Sequence, residues 1–260
     1  MIVDLHNDVL IKKNSFFDKK NVVICAVWAS ELINPIVFLD KIKHKVKYKA
    51  IEDLWFINRE NINIIKEFNP IYASLTWNNE NNLAGGTYSD ANLTKLGKDV
   101  IKYLVSNEIS LDTAHLNEKS FYDAIEYLAD LKKISLICSH TCFNGVFKHK
   151  RNLTDNQIRV IINANGIIGL TLVSDFMGKQ NANEYDVLRQ IEYFLGKFSY
   201  KFLSLGTDFF GADNLAINSY KKLEKFKNHL IKMGLSEKIL NAIFYENALN
   251  YINDKGEKNE

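Results

Sequence analysis

Near its start the chain carries the stretch Ile2-Val3-Asp4-Leu5-His6-Asn7-Asp8, which has the composition of a short β-strand that ends in two metal-binding side chains. A His and an Asp two positions apart at the end of a strand can bind one divalent ion from neighbouring positions. The stretch therefore predicts a metal site at a strand end. Because a His and an Asp at this spacing also occur by chance, the prediction depends on the rest of the chain.

Seven further segments are short and apolar like the first, and helix-like segments separate them. The eight predicted strands cover residues 2–6, 22–28, 48–52, 71–76, 109–112, 135–138, 167–172 and 202–205. Apolar residues at helical spacing predict helices over residues 93–105, 118–131, 155–164, 183–198, 218–233 and 236–252, with one more within 31–47. Strands rich in Val and Ile with little alternation are typical of a sheet covered on both faces. This order predicts one (β/α)₈ barrel of the TIM type over residues 1–252, followed by a polar tail over 253–260.

The composition is that of a single globular α/β domain. Of the 260 residues, 47% are hydrophobic and 25% are charged, and the formal net charge of +2 gives no sign of a nucleic-acid partner. We expect neither a targeting segment nor a membrane span. The odd number of cysteines is typical of a reducing compartment, so we expect a cytoplasmic protein in which Cys25, Cys138 and Cys142 are small core residues. The alternative for Cys138, which lies near His140, is a thiolate ligand.

Six metal-type side chains share one feature, because each stands at or just beyond the end of a predicted strand. They are His6, Asp8, Glu52, His115, His140 and Asp208. Parallel α/β barrels build their active sites at this end of the strands. Two histidines and a carboxylate can hold one divalent ion, and a carboxylate can bridge two ions. The set predicts a binuclear metallohydrolase. Taken singly, Glu52 has the alternative role of a helix-start acid, and each histidine that of a hydrogen-bonded core residue.

Seven ordered motifs resemble the membrane (renal) dipeptidase family, which belongs to the metal-dependent amidohydrolase-like barrels. The motifs are Asp4-Leu5-His6-Asn7-Asp8, Ala50-Ile51-Glu52, Leu75-Thr76-Trp77-Asn78 with Asn81 and Gly85-Gly86, Asp112 to His115, Ser139-His140, Arg151-Asn152-Leu153-Thr154-Asp155, and Gly206-Thr207-Asp208-Phe209 with Gly211. The resemblance covers nearly the whole chain and implies two zinc ions. It assigns His6 and Asp8 to one zinc and His115 and His140 to the other. Glu52 is then the ligand that bridges both.

The resemblance also implies roles beside the substrate. Asp208 would lie next to the bridging water, either as a proton shuttle or as the partner of the substrate's ammonium group. Arg151 would bind the free carboxylate of the substrate, for which arginine offers a planar, charged fork. The alternative for Arg151 is a solvated basic turn together with Lys148 and Lys150. Trp77 is expected either to wall the substrate pocket or to pack in the core.

The chain departs from the family pattern in three respects. It is shorter than typical members, which predicts trimmed loops around the substrate. Trp77-Asn78 stands where some members have a His beside the substrate, and indole cannot exchange a proton as imidazole does. Asp53 follows Glu52 where many relatives have Gly. This extra acid is expected either to perturb the metal site or to face solvent.

The expected function is hydrolysis of dipeptides, including those with a D-residue at the C-terminal position, by a hydroxide that bridges two zinc ions. One alternative is a binuclear metallohydrolase that acts on another small substrate, such as a lactam, a lactone or a phosphoester. A second alternative is a catalytically weak barrel that binds small peptides. The expected partner is a small dipeptide, and we expect neither nucleic acid nor a membrane to bind. Whether the protein forms a homodimer is left open.

Overall fold

The eight predicted strands form a closed parallel barrel in which neighbours in sequence are neighbours in the sheet. The structure, a computed structural model, describes residues 1–10 and 20–256. The strands are β1 (Val3–Asn7), β2 (Val22–Trp28), β3 (Lys49–Glu52), β4 (Tyr72–Ser74), β5 (Ser110–Asp112), β6 (Leu136–Thr141), β7 (Ile167–Leu170) and β8 (Leu203–Leu205). The predicted fold class is therefore confirmed. Predicted and observed strand ends differ by at most three residues, and the largest difference is at β6, which continues to Thr141.

Helices follow the strands in the described part of the chain. They are α1 (Pro35–Ile42), α2 (Asn63–Phe68), α3 (Lys95–Ser106), α4 (Glu118–Asp130), α5 (Asp155–Asn163), α6 (Glu184–Leu195), α7 (Tyr220–Lys232), α8 (Glu237–Asn241) and α9 (Asn247–Gly256), with a π-helical turn at Ala242–Glu246. Short helix α2 was not predicted. Helix α9 runs beyond residue 252 to Gly256, and residues 257–260 of the expected tail lie outside the described residues. The division at residue 252 stays a prediction.

Most of the longer helices begin at a side chain that accepts a backbone N–H of the first turn. These N-cap residues are Asn34, Thr94, Asn117, Thr154, Asn183 and Ser219. Asn, Thr and Ser are favoured there because the first N–H groups of a helix have no partner within it. At α5 the cap is reciprocal, since the Gln157 side-chain oxygen accepts a hydrogen bond from the backbone N–H of Thr154. The predicted start of α5 at Thr154-Asp155 is thus confirmed.

Two compact units can be distinguished by their internal packing. The first contains β1, β7, β8, most of β6 and helices α5 to α9. Its strands β7 and β8 pair in register from Ile168 opposite Leu203 to Leu170 opposite Leu205, and β1 pairs with β8 at Asp4 opposite Leu205. Two glycines let backbones approach closely, because a Cβ at either would overlap the carbonyl oxygen of Ser139. They are Gly169 and Gly206.

The second unit contains β3, β4, β5, most of β2 and helices α1 to α4. Its core includes the fully buried side chains Tyr72, Phe68 and Phe121. Strand β2 pairs with β3 in parallel, and the last register pair is Trp28 opposite Glu52. Within the described residues, no helix is both long enough and apolar enough to cross a bilayer.

Candidate metal centre

Four of the predicted site residues lie together in the first unit. His6 is within β1, His140 is the penultimate residue of β6, and Asp208 follows the end of β8 by three residues. His6, His140 and Asp208 each offer a ligand atom within 4.8 Å of the others. The rings of His6 and His140 have centroids 4.0 Å apart, and His6 Nε2 lies 3.3 Å from Asp8 Oδ2. Two imidazoles and two carboxylates are thus brought together at strand ends.

Ser139 orients both imidazoles of this group. Its Oγ lies 2.9 Å from Nδ1 of His140 and 3.3 Å from Nδ1 of His6. A hydroxyl can donate one hydrogen bond and accept others, so one Ser139 side chain can serve both rings. Second partners of this kind fix the ring orientation of metal-binding histidines. The Nε2 atoms are then the ligand atoms available to a metal.

Asp4 ties the loop after β8 to β1. Its buried carboxylate accepts hydrogen bonds from the backbone N–H of Thr207 (2.8 Å), the Thr207 hydroxyl (2.6 Å) and the Tyr220 hydroxyl (2.7 Å). Burial raises the pKa of Asp4, and the hydrogen bonds from Thr207 and Tyr220 oppose that effect. The Asp208 N–H donates to the carbonyl of His6 at 3.1 Å. Asp208 is therefore held beside β1 by backbone and side-chain bonds together.

Asp208 has an unfavourable backbone conformation and is closely packed against Gly211. Its φ is +62°, in the left-handed region that residues with a Cβ seldom occupy. A Cβ at Gly211 would overlap Oδ1 of Asp208 and Oδ2 of Asp8, so Gly211 lies against both carboxylates. Backbone conformations of this kind persist where surrounding contacts enforce them, and they concentrate at functional sites.

The second unit contains the other two predicted ligands in direct contact. Glu52 is the last residue of β3, and its Oε1 lies 2.8 Å from Nε2 of His115. His115 follows β5 by three residues and also has a left-handed φ, +69°. Its Nδ1 lies 2.9 Å from Oδ1 of Asn78. Both Glu52 and His115 are buried. Glu52 ends β3 and the next described helix begins at Asn63, so the helix-start alternative for Glu52 is wrong. His115 is buried and hydrogen-bonded, so its roles as a metal ligand and as a hydrogen-bonded core residue both stay predictions.

Asp53 does not face solvent. It is only 6% exposed, has φ +68°, and accepts hydrogen bonds from the Ser30 hydroxyl, the Asn81 side-chain amide (2.9 Å) and the Trp55 N–H (3.2 Å). Burial raises the pKa of Asp53 to about 6, against the hydrogen bonds from Ser30 and Asn81, with a smaller contribution from the charge of Glu52. The solvent-facing alternative is wrong.

An aromatic wall stands next to Glu52 and His115. The ring centroids of Trp28 and Trp77 are 4.7 Å apart, and those of Trp77 and His115 are 6.0 Å apart. Trp77 is partly exposed, as expected of a pocket wall rather than a core residue. Trp28, which was not predicted as a candidate site residue, ends β2 just as Glu52 ends β3. Its position at a strand end was the available signal, but the search for metal-type side chains does not include tryptophan.

Arg151 is 6% exposed, whereas its neighbours Lys148 and Lys150 are exposed. The solvated-turn alternative is therefore wrong for Arg151. Its guanidinium carbon lies 5.3 Å from the ring centroid of Phe176, in cation–π contact. His149, which was not predicted as a candidate site residue, stacks on the same ring with centroids 4.9 Å apart. Its Nδ1 accepts a hydrogen bond from the backbone N–H of Arg151. Burial, followed by the charge of Arg151, lowers the pKa of His149.

The cysteines are structural, as predicted. Cys25, Cys138 and Cys142 are buried thiols outside any disulfide. The Cys142 thiol donates to the carbonyl of Thr171 at 3.7 Å, and burial raises the pKa of Cys142, which disfavours the thiolate that metals bind. In the described part of the chain, the groups able to hold a metal contain only histidines and carboxylates. This nitrogen and oxygen donor set fits zinc and similar divalent ions.

Comparison with known proteins identifies the family of this chain. The sequence profile of the membrane dipeptidase family (peptidase family M19) matches residues 60–258. The chain belongs to the membrane dipeptidase family. The matched part contains His115, His140, Arg151 and Asp208, whereas the ligand-type residues of β1 and β3 precede it.

The chain is also similar to individual proteins and to solved structures. An "uncharacterized protein in pqqA 5′ region" of Klebsiella pneumoniae is 27% identical over 165 residues, which are 60% of this chain and 59% of that protein. The chain thus spans about three fifths of that relative's length. A solved structure described as dipeptidase AC, a metallopeptidase of family M19, superposes with a TM-score of 0.79 at 16% identity and covers 96% of this chain and 97% of its own.

A second solved structure that resembles this chain contains a bound ligand. It is a metallopeptidase from Rhodobacter sphaeroides liganded with a phosphinate mimic of the dipeptide L-Ala-D-Ala. It has a TM-score of 0.70 at 20% identity, and the match covers 79% of this chain and 62% of that one. At such identities, the two structural likenesses show the barrel fold alone.

Proposed function

We propose that the protein is a metal-dependent dipeptidase whose two ligand groups form one binuclear zinc centre. His6 and Asp8 hold one ion, His115 and His140 hold the other, and Glu52 bridges them. The single observation that carries this proposal is the buried Glu52–His115 contact of 2.8 Å. Family membership and the convergence of parallel strand ends at one rim of a barrel support the same assignment.

The chemistry of the Glu52–His115 contact supports a cation there. The Asn78 amide oxygen can only accept, so His115 donates through Nδ1 and presents the Nε2 lone pair towards Glu52 when the ring is neutral. Two acceptors at 2.8 Å repel one another unless a proton or a cation lies with them. Two zinc ions would supply that charge, together with a bridging hydroxide as nucleophile and electrostatic stabilisation of the oxyanion.

The chain's own residues would bind the substrate and move the proton. Arg151, buried against Phe176, binds the free carboxylate of the dipeptide through its guanidinium fork. Asp208, fixed beside β1, holds a proton and passes it to the leaving nitrogen. Trp77 walls the pocket on the His115 side. A carboxylate-binding arginine selects dipeptides over internal peptide bonds, and we propose that C-terminal D-residues are accepted as well.

Buried cysteines that form no disulfide support the further proposal of a cytoplasmic location. A homodimer is a separate proposal, and light scattering of the purified protein tests it.

Metal analysis and kinetics test the function together. We expect about two zinc ions per chain, and hydrolysis of L-Ala-L-Ala and L-Ala-D-Ala that ends on chelation and returns with zinc. Glu52→Gln and His115→Ala should each lower kcat/KM by about 10³-fold or more while the protein stays folded. The matched controls are Glu60→Gln and His229→Ala, which change exposed residues.

Full activity after chelation would refute the proposal. Hydrolysis of a lactam, lactone or phosphoester in place of every dipeptide would assign the site to another small substrate. Amidated dipeptides should be poor substrates, because they offer Arg151 no carboxylate. Binding of a dipeptide with stoichiometric heat but no turnover would instead identify a peptide-binding barrel.

A further inference from the structure

We infer that the indole N–H of Trp28 donates a hydrogen bond to the carbonyl oxygen of the peptide bond that the enzyme cleaves. The inference rests on the proposed function and adds a substrate-binding residue to it. It starts from a buried hydrogen-bond donor without an acceptor, on the residue that pairs in register with Glu52. The Nε1 atom of Trp28 is buried, and no described residue accepts a hydrogen bond from it.

A buried donor without an acceptor is costly. Leaving such a group unsatisfied costs about 1–3 kcal/mol, and native proteins seldom do so. Replacing the indole by a ring without the N–H would remove that cost. The indole of Trp28 therefore needs a physical explanation, and an acceptor on a bound ligand provides one.

The register of the sheet places this donor beside the proposed metal ligand. Trp28 and Glu52 are directly opposite each other on the parallel strands β2 and β3. Side chains alternate along each strand, so residues opposite each other in register project to the same face. Because Glu52 contacts His115 on that face, the Trp28 side chain projects to the same side.

Ring contacts lead to the same location. The Trp28 ring is 4.7 Å from the Trp77 ring, and the Trp77 ring is 6.0 Å from the ring of His115. The two indoles thus form a continuous wall that ends at a proposed metal ligand. Trp77 does not share this unsatisfied donor, because its indole nitrogen is not among the buried donors without a partner in the described residues.

The chemistry of a dipeptide selects the acceptor. Indole N–H donates and cannot accept, so it cannot pair with the substrate's ammonium group. A dipeptide offers two kinds of acceptor, the terminal carboxylate and the peptide carbonyl. The carboxylate is assigned to the charged fork of Arg151, which leaves the carbonyl for Trp28. As negative charge develops on that oxygen during attack, the hydrogen bond strengthens and lowers the barrier.

Indole NMR tests this contact without relying on activity. The chain has three tryptophans, Trp28, Trp55 and Trp77, so zinc-loaded protein labelled with ¹⁵N-indole should give three signals. Trp55→Phe and Trp77→Phe identify two signals, and the third belongs to Trp28. Saturation with a phosphinate analogue of a dipeptide should move the Trp28 indole proton downfield and slow its exchange with solvent. The signal of Trp55, which is 42% exposed, should stay in place.

Kinetics provide the second measurement. Trp28→Phe keeps the aromatic ring and removes the donor, so we expect kcat for L-Ala-D-Ala to fall by about tenfold to a hundredfold with KM changed less than about threefold. Trp55→Phe is the matched control and should keep wild-type kinetics.

Two failures can be told apart. If the wild-type protein neither hydrolyses dipeptides nor binds the phosphinate, the proposed function is wrong and this inference falls with it. If the wild-type protein does both, yet the Trp28 signal does not respond, the inference alone is wrong. Wild-type kcat in Trp28→Phe would overturn it in the same way.

Discussion

The Oδ1 atom of Asn78 lies 2.9 Å from Nδ1 of His115, and this contact fixes the tautomer of a proposed metal ligand. An amide oxygen accepts only, so the imidazole must donate through Nδ1 and keep Nε2 for the metal. Asn78 lies in the loop after β4, and the Asn81 side chain anchors this loop to the carbonyl of Leu75 and to Asp53. The loop therefore carries a residue that orients His115.

Replacing Asn78 by Ala should weaken metal binding. Partners of metal-binding histidines typically contribute a factor of about 10–100 to metal affinity, because they fix the ring and raise its basicity. We expect a loss of that size in zinc affinity, measured by competition with a chelating dye. Asn79→Ala, which alters the exposed neighbour, is the matched control. Unchanged affinity in Asn78→Ala would contradict the orienting role.

Asp53 should make the metal-free protein less stable as pH rises. Burial raises its folded-state pKa to about 6, above the ordinary value of 3.8, so the folded state binds more protons between these values. The free energy of unfolding should therefore fall as pH increases from about 4 to 6, by at most about 3 kcal/mol for two pKa units. Chemical denaturation across this range measures the effect.

Asp53→Asn should remove that dependence, since an amide keeps hydrogen-bonding groups towards Ser30 and Asn81 without a charge. The variant should equal or exceed wild-type stability at pH 7. Asp90→Asn, at an exposed site, should follow the wild-type curve. A wild-type pH dependence in Asp53→Asn would show that another group is responsible.

Alanine at Gly206 should be strongly destabilising. The added Cβ would overlap the carbonyl oxygen of Ser139, the residue that orients His6 and His140. Overpacking of this kind costs about 1–3 kcal/mol or more, and a shift of Ser139 should also lower zinc affinity. Gly196→Ala is the control, because Gly196 follows the end of α6 with φ −69° and a Cβ there would come no closer than 3.3 Å to another atom, the carbonyl oxygen of Glu192. It should be neutral or slightly stabilising. Equal melting temperatures for the two variants would contradict the packing argument.

Asp208→Asn should separate proton transfer from metal binding. Asparagine keeps the shape of the side chain but cannot carry the proton, so kcat should fall by about 10²–10⁴-fold. The zinc content should stay at the wild-type value, because the proposed ligands are unchanged. Asp213→Asn, an exposed change in the same loop region, is expected to be silent. Loss of zinc from Asp208→Asn would make Asp208 a ligand instead.

Much of the site follows from the position of residues relative to strand ends. Glu52 closes β3 as predicted, and His6 and His140 lie within the last two residues of β1 and β6. These positions depend on local properties that can be inferred from sequence, namely apolar strands and polar residues that follow them. His115 and Asp208 are less regular, since each stands three residues past its strand with a left-handed φ. Their exact placement depends on loop hydrogen bonds that sequence periodicity does not encode.

The sequence by itself determined the barrel, the order of its strands, the buried cysteines and the identity of the metal-type side chains, because these depend on periodicity, residue chemistry and strand ends. Only the tertiary structure decided which residues form hydrogen bonds with these metal-type side chains and which acids are buried. Ser139 reaches two histidines, Asn78 reaches His115, and Asp53 is buried rather than solvated. Except for Ser139 and His140, which are adjacent in the chain, these contacts join residues that are far apart in sequence. Hydrogen-bond partners and burial depend on distances in space, and spacing along one sequence does not contain them.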